Sequence, residues 1–222
     1  MDLEQLLANR CSMYTFLARI YRSEVDAELL SQMRGMDLSA PVDDPEIREG
    51  YQRLESYLER CDASTLTDLA VDYARVFLGA GLREKEGAHP YESVYTSPER
   101  LVMQEARDKV LELYREEGLG RSETVVEPED HLSLELEFMN HLCRQTRHAL
   151  GAGDGPGVLK YLHKQQEFLR EHLLSWVPAF ADDVQRFACE DFYPAVAKIT
   201  TGYLRLEQEL IADLIDAVAA SC

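Results

Sequence analysis

The sequence predicts an all-α protein, and three observations carry that prediction. Apolar residues recur three and four positions apart in segment after segment, as in Leu3, Leu7, Tyr14, Leu17 and Tyr21, which places them on one face of a helix. The stretches between these segments are punctuated by glycine and proline, at Gly35, Pro41 and Pro45, again over 79–98, and again over 151–157. No run alternates apolar and polar residues over the length a strand requires, and no segment repeats. Together these predict a bundle of about nine helices, arranged as two lobes joined by a hinge.

The elements follow in order. Residues 3–22 form an amphipathic helix flanked by Leu6, Met13 and Ile20, and Val25–Met33 forms a short second one. Glu46–Arg60 continues through Ile47, Tyr51, Leu54 and Leu58, and Thr65–Phe77 through Leu66, Leu69, Ala70, Tyr73 and Phe77. The next stretch, 79–98, is a loop. Its glycines and prolines forbid a helix, yet Tyr91, Val94 and Tyr95 are too apolar for a solvated linker, so it either plugs the edge of the core or lines a recognition surface. Pro98-Glu99 opens a helix carrying Leu101, Val102, Val110, Leu111 and Tyr114, which Gly118 and Gly120 close.

A further helix opens at Glu127-Pro128-Glu129-Asp130-His131, because proline suits the first helical position and acidic residues complement the helix dipole there. This start divides an N-terminal lobe, 1–126, from a C-terminal lobe, 127–222. Leu132, Leu134, Leu136, Phe138, Met139, Leu142 and Cys143 form its broad apolar arc, and His131 and Glu135 fall inside that arc, one turn apart. A titratable pair on a buried face needs a partner or a purpose, since unpaired buried charge costs several kcal/mol. It is either a satisfied structural pair, the imidazole held by its carboxylate neighbours, or the lining of a groove. The glycine-rich run 151–157 has no Walker-type Gly-Lys-Ser/Thr and no preceding strand, so it is a helix connection. Helices then span Val158–Ser175 and Ala179–Phe187, with Pro178 at the joint, and Phe192–Ala219 closes the fold.

Composition excludes several functions. The 41 acidic against 23 basic residues give a net charge of −18 with no Lys/Arg run, which argues against nucleic acid and favours basic peptides. No segment reaches the uncharged apolar length of a membrane span, and Met1–Gln5 lacks a signal-peptide pattern, so the expected location is the cytoplasm. The five cysteines form no CxxC, which points to neither a zinc site nor a disulfide framework. Cys11 and Cys143, each among apolar helix residues, are expected to be buried thiols.

Three segments carry a family resemblance: Tyr14-Thr15-Phe16-Leu17-Ala18-Arg19-Ile20-Tyr21-Arg22; Tyr73-Ala74-Arg75-Val76-Phe77-Leu78-Gly79 with Pro90-Tyr91-Glu92-Ser93-Val94-Tyr95; and Glu127-Pro128-Glu129-Asp130-His131 continued by Glu135-Leu136-Glu137-Phe138-Met139. In order and spacing, over nearly the whole chain, the sequence resembles the TorD/DmsD family of redox-enzyme maturation chaperones. The resemblance implies a cytoplasmic, non-enzymatic chaperone without a cofactor. Its partners would be the twin-arginine leader and the apo form of a molybdopterin oxidoreductase subunit, held for cofactor insertion until export. It implies a leader groove involving Tyr73, Phe77, Pro90, Tyr91, Ser93 and Tyr95 with Glu127, Asp130 and His131; Glu135 and Phe138 complete the candidate set. The first loop carries tyrosines where relatives often carry tryptophan, and Trp176 is the only tryptophan.

Independently, two guanidinium groups followed by an apolar stretch call for carboxylates beside an aromatic and aliphatic groove. Glu127, Glu129 and Asp130 offer the charge, and Phe77, Tyr91, Tyr95 and Phe138 the apolar surface. Two rival readings are a helical adaptor indifferent to the arginines and a helical-bundle metalloprotein using His131, Glu135, Glu127 and His141. The second lacks the paired Glu-x-x-His motifs of di-iron bundles; its one instance, Glu86 to His89, lies in the loop. Either a monomer or a domain-swapped dimer suits lobes joined at a hinge.

Overall fold

The computed structural model describes residues 2–38, 42–83, 86–120 and 126–220. Its helices are α1 (Leu3–Arg22), α2 (Ala27–Arg34), α3 (Pro45–Glu59), α4 (Thr65–Leu78), α5 (Glu92–Thr96), α6 (Glu105–Glu116), α7 (Leu132–Gly151), α8 (Gly155–Phe168), α9 (Leu174–Phe187) and α10 (Phe192–Ala219). No strand occurs among the described residues, and the fold is all-α as the periodicity predicts. Local chemistry sets many of the ends. Asp26 accepts the Leu29 N–H at 2.8 Å, and Asp44 accepts the Glu46 and Ile47 N–H groups at 2.9 Å beside Pro45.

The chain divides into two compact units that interleave in sequence. One comprises 1–22, 91–176 and 206–222, the other 23–90 and 177–205. This differs from a single cut at 126/127, because sequence proximity says nothing about which distant helices share a core.

In the first unit α1 packs along α7, and α7 along α8. Leu7, Tyr14, Leu17, Leu136, Met139, Leu142 and Leu162 are almost wholly buried, each side chain contributing roughly 1.5–3 kcal/mol by leaving water. This core also encloses a polar network. Arg10 donates to Glu207 at 2.6 and 2.9 Å and to Gln165 at 2.7 Å, and the Tyr14 hydroxyl donates to Glu207 at 2.7 Å.

In the second unit α3 lies close against the first half of α10. A Cβ on Gly50 would stand 2.7 Å from Ile199 Cγ1 and 2.9 Å from the Ala195 carbonyl oxygen, so the approach requires glycine. An aromatic cluster of Tyr57, Tyr73, Phe77, Phe180, Phe192 and Tyr193 fills the interior, with Tyr73 on Phe77 at 5.0 Å and Phe77 on Tyr193 at 5.1 Å.

Three boundaries and one element depart from the sequence reading; the element is α5, a short helix over Glu92–Thr96 inside the stretch 79–98 read as a loop, where the residues between Pro90 and Pro98 contain neither glycine nor proline. α6 starts at Glu105 rather than at Pro98: Arg100 (φ 53°) and Met103 (φ 61°) are left-handed, which a helix forbids, and the Gln104 N–H is taken by Ser93 Oγ at 3.0 Å. α7 starts at Leu132, because Glu127–Asp130 form a turn whose polar groups serve α5. Pro178 lies inside α9 rather than at a joint. A π-helical turn, Leu169–Leu173, stands immediately before α9, widening the helix one turn ahead of the missing proline N–H.

Candidate functional site

The site in the first unit is built where the start of α5 meets the turn before α7. The Glu92 N–H donates to the Asp130 carbonyl at 3.0 Å, making an antiparallel bridge between Tyr91 and His131. From the turn before α7, the Asp130 carboxylate accepts the Ser93 N–H at 2.9 Å. It thereby caps α5 from 37 residues away. His131 caps α7 in turn, its Nδ1 accepting the Ser133 N–H at 3.1 Å with Ser133 Oγ at 2.8 Å. The Tyr91 ring stands edge-on to the His131 ring at 5.0 Å, and its hydroxyl donates to Glu127 at 2.5 Å. Burial lowers the His131 pKa to about 4, outweighing the nearby Glu127 charge, so the imidazole is neutral at physiological pH.

Behind this junction lies a second polar layer. Glu135 is fully buried, and its Oε2 accepts the Trp176 indole N–H at 3.1 Å. Burial, then the Glu92 charge, raise the Glu135 pKa well above its ordinary value, which favours the neutral acid there. Glu92 also pairs with His172 Nδ1 at 2.8 Å. Of the two readings of His131 and Glu135, a direct pair between them does not form, because each side chain takes other partners. Tyr95 stacks on Trp176 at 5.5 Å and carries the Arg100 guanidinium over its ring at 5.0 Å.

On its outer side the turn borders a groove of about 300 Å³ between α6 and α7. Leu111, Tyr114, Leu134 and Phe138 provide its apolar wall, and Glu127, Glu129 and Glu137 its carboxylates. Tyr114 packs on Phe138 at 4.7 Å, and its hydroxyl donates to the Glu129 carbonyl at 3.2 Å. Arg107 offsets Glu129 at 2.6 Å, and Arg22 offsets Glu137 at 2.8 Å. Glu127 instead takes the Tyr91 hydroxyl, a neutral partner that leaves its negative charge facing the groove. The arrangement can receive an apolar segment beside a cation; nothing in it resembles an activated nucleophile.

The family model described as the nitrate reductase delta subunit matches residues 40–182. The chain belongs to that family, which includes the TorD-type chaperones. It is similar to the chaperone protein TorD of Vibrio cholerae, 26% identical over 96% of this chain and 97% of that one. Similar proteins of the same name occur in Aliivibrio salmonicida (24%, covering 95% and 98%) and a Psychrobacter species (24%, covering 94% of each).

Within this nitrate reductase delta subunit family member, the structure brings together Tyr91, Ser93, Glu127, Asp130 and His131, with Glu135 behind them and Phe138 in the groove wall. Tyr73 and Phe77 belong to the second unit, where both are buried in the aromatic cluster and serve its packing. Pro90 is also buried there. The sequence reading missed Tyr114, Leu111 and Leu134 as groove residues, having assigned them to helix cores. It also missed Glu92 and His172, whose pairing spans 80 residues and leaves no local signal. The four residues of the metalloprotein alternative do not converge. Among the described residues no group of three or more His, Cys, Asp or Glu side chains is placed to hold a metal ion.

Proposed function

We propose that this protein is a cytoplasmic maturation chaperone, acting by binding rather than catalysis, for a molybdopterin oxidoreductase subunit. It receives the subunit's twin-arginine leader in the groove between α6 and α7. The observation that carries this reading is the apolar wall of Leu111, Tyr114, Leu134 and Phe138 with the Glu127 carboxylate at its edge, in a chain of this family. A guanidinium group beside Glu127 gains a charge-assisted hydrogen bond, while the apolar stretch that follows the arginines covers Phe138 and Leu134. Tyr91, Asp130 and His131 position Glu127 and the first turn of α7, and Ser93 and Glu135 hold that junction from behind. No helix among the described residues is long and apolar enough to cross a membrane, which is compatible with a chaperone that holds its client before export.

The test is a pull-down from cells growing by anaerobic respiration, followed by calorimetric titration of the captured oxidoreductase's leader. Replacing the leader's arginine pair with alanine is expected to weaken binding at least about tenfold, and Glu127→Gln in the chaperone about tenfold, the equivalent of roughly 1.4 kcal/mol. Binding indifferent to the arginines would move recognition to the mature body of the client. Binding unchanged by Glu127→Gln and by Phe138→Ala would remove the groove from the leader site.

A further inference from the structure

α1 and α7 pack side by side, and each contributes one cysteine to the seam between them. Cys11 and Cys143 lie in one buried apolar cluster with Leu7, and the Cys143 thiol also donates to the Leu7 carbonyl oxygen at 3.4 Å. Leu7 stands one turn before Cys11 on α1, so the Cys143 sulfur lies beside Cys11 in that cluster, and Arg147, anchored on Glu4 at the rim, is close to Cys11. Cys143 is completely buried, whereas Cys11 keeps 9% of its surface exposed at that rim. A buried thiol pair with one sulfur at a cationic rim has the layout of an attacking and a resolving cysteine. Nothing in the leader-binding reading uses it.

We propose that Cys11 and Cys143 are a redox-active pair that closes to a disulfide between α1 and α7 when a hydroperoxide reaches Cys11. The Cys11 thiolate attacks the peroxide, breaking the O–O bond and leaving Cys11 as a sulfenic acid with one hydroxide released. The Cys143 sulfur then attacks the Cys11 sulfur, its proton joining the departing hydroxyl as water. In sum, two thiols and one hydrogen peroxide give one disulfide and two waters, the two electrons passing from sulfur to oxygen. The neighbouring Cys143, with Arg147 and Arg10 nearby, lowers the Cys11 pKa to about 7, which supplies thiolate at neutral pH. The neighbouring Cys11, then burial, raise that of Cys143, as suits the partner that stays protonated until the second step. The bond ties α1 to the helix that His131 caps, so oxidation acts on the scaffold of the candidate site.

The experiment uses the full chain with Cys61, Cys189 and Cys222 replaced by serine, treated with a small excess of hydrogen peroxide and analysed by intact mass and tryptic mapping. The expected result is loss of two hydrogens from most of the protein, a linked peptide joining Cys11 to Cys143, and reversal by dithiothreitol. In that background Cys143→Ser is expected to stop Cys11 at a sulfenic acid trapped by dimedone. Accumulation of sulfenic or sulfinic acid without a linked peptide in the protein that retains both thiols would overturn the pair. Should the serine variant fail to fold, as judged by circular dichroism, the linked peptide alone decides.

Discussion

At the scale of single residues, the buried acids and imidazole make stability depend on pH in opposite directions. The His131 pKa falls from 6.5 to about 4 on folding, so between those values the unfolded chain binds more protons. The contribution of this residue is therefore complete above about pH 6.5 and lost as pH falls toward 4. Urea titrations of the wild type and His131→Gln are expected to differ most at neutral pH, the difference shrinking by about 2 kcal/mol or more near pH 4. A constant difference across that window would show that His131 titrates normally. Glu135 behaves inversely, because its folded pKa is raised: its contribution is complete below its unfolded value of 4.5 and is lost as pH rises. Glu135→Gln keeps an acceptor for Trp176 and carries no charge to bury. It is expected to stabilise the protein by about 1–2 kcal/mol at pH 7 and by nothing at pH 4, read from the same titrations. Destabilisation at pH 7 would mean that the carboxylate is ionised and paired. The depth of His131 and Glu135 was legible in the sequence from their position on an apolar arc. Their surroundings were not, since Trp176 and Glu92 stand 41 and 43 residues from Glu135 along the chain.

At the scale of elements, α6 is held differently from its neighbours. It buries only Ala106 and Val110, and is otherwise tied by Arg107 to Glu129, by Tyr114 to the Glu129 carbonyl, and at its start by Gln104 to Ser93. Little apolar area with few polar ties predicts a low opening free energy. Arg107→Ala removes one tie, worth about 1 kcal/mol, and is expected to speed amide exchange across Glu105–Glu116 several-fold while α1 and α7 keep their protection. Equal acceleration in all three helices would mean that α6 opens only with the whole unit. Because Leu111 and Tyr114 form one wall of the groove, a low opening free energy in α6 would let the groove change its width. The sequence signals for α6 were ambiguous for a physical reason. Leu101, Val102 and Met103 have helix-compatible spacing, but they are 44–55% exposed in a loop with two left-handed residues.

At the scale of the whole molecule, the two ends of the chain meet in one core. Arg10 near the start and Glu207 near the end form a buried ion pair, extended by Tyr14 and Gln165. Arg10→Met strands the Glu207 carboxylate and is expected to lower the unfolding free energy by about 3–5 kcal/mol in chemical denaturation, whereas Arg10→Met with Glu207→Leu restores most of it. If the single and double variants lose the same stability, packing rather than charge accounts for the pair. Such a network also explains why the first unit draws on three separated segments, 1–22, 91–176 and 206–222.

The sequence by itself determined the fold class, most helix spans and the family. These depend on local periodicity, on glycine and proline, and on short motifs such as Glu127–His131, all of which are properties of neighbours along the chain. Only the tertiary structure decided which segments share a core, that Asp130 caps α5 and His131 caps α7, and that Glu127 keeps its charge beside Phe138. The Asp130 cap and the Tyr91–Glu127 bond join partners 37 and 36 residues apart, and no local pattern encodes a hydrogen bond of that reach; the His131 cap on Ser133 is local, but it forms only because the turn held by α5 ends the chain's approach there.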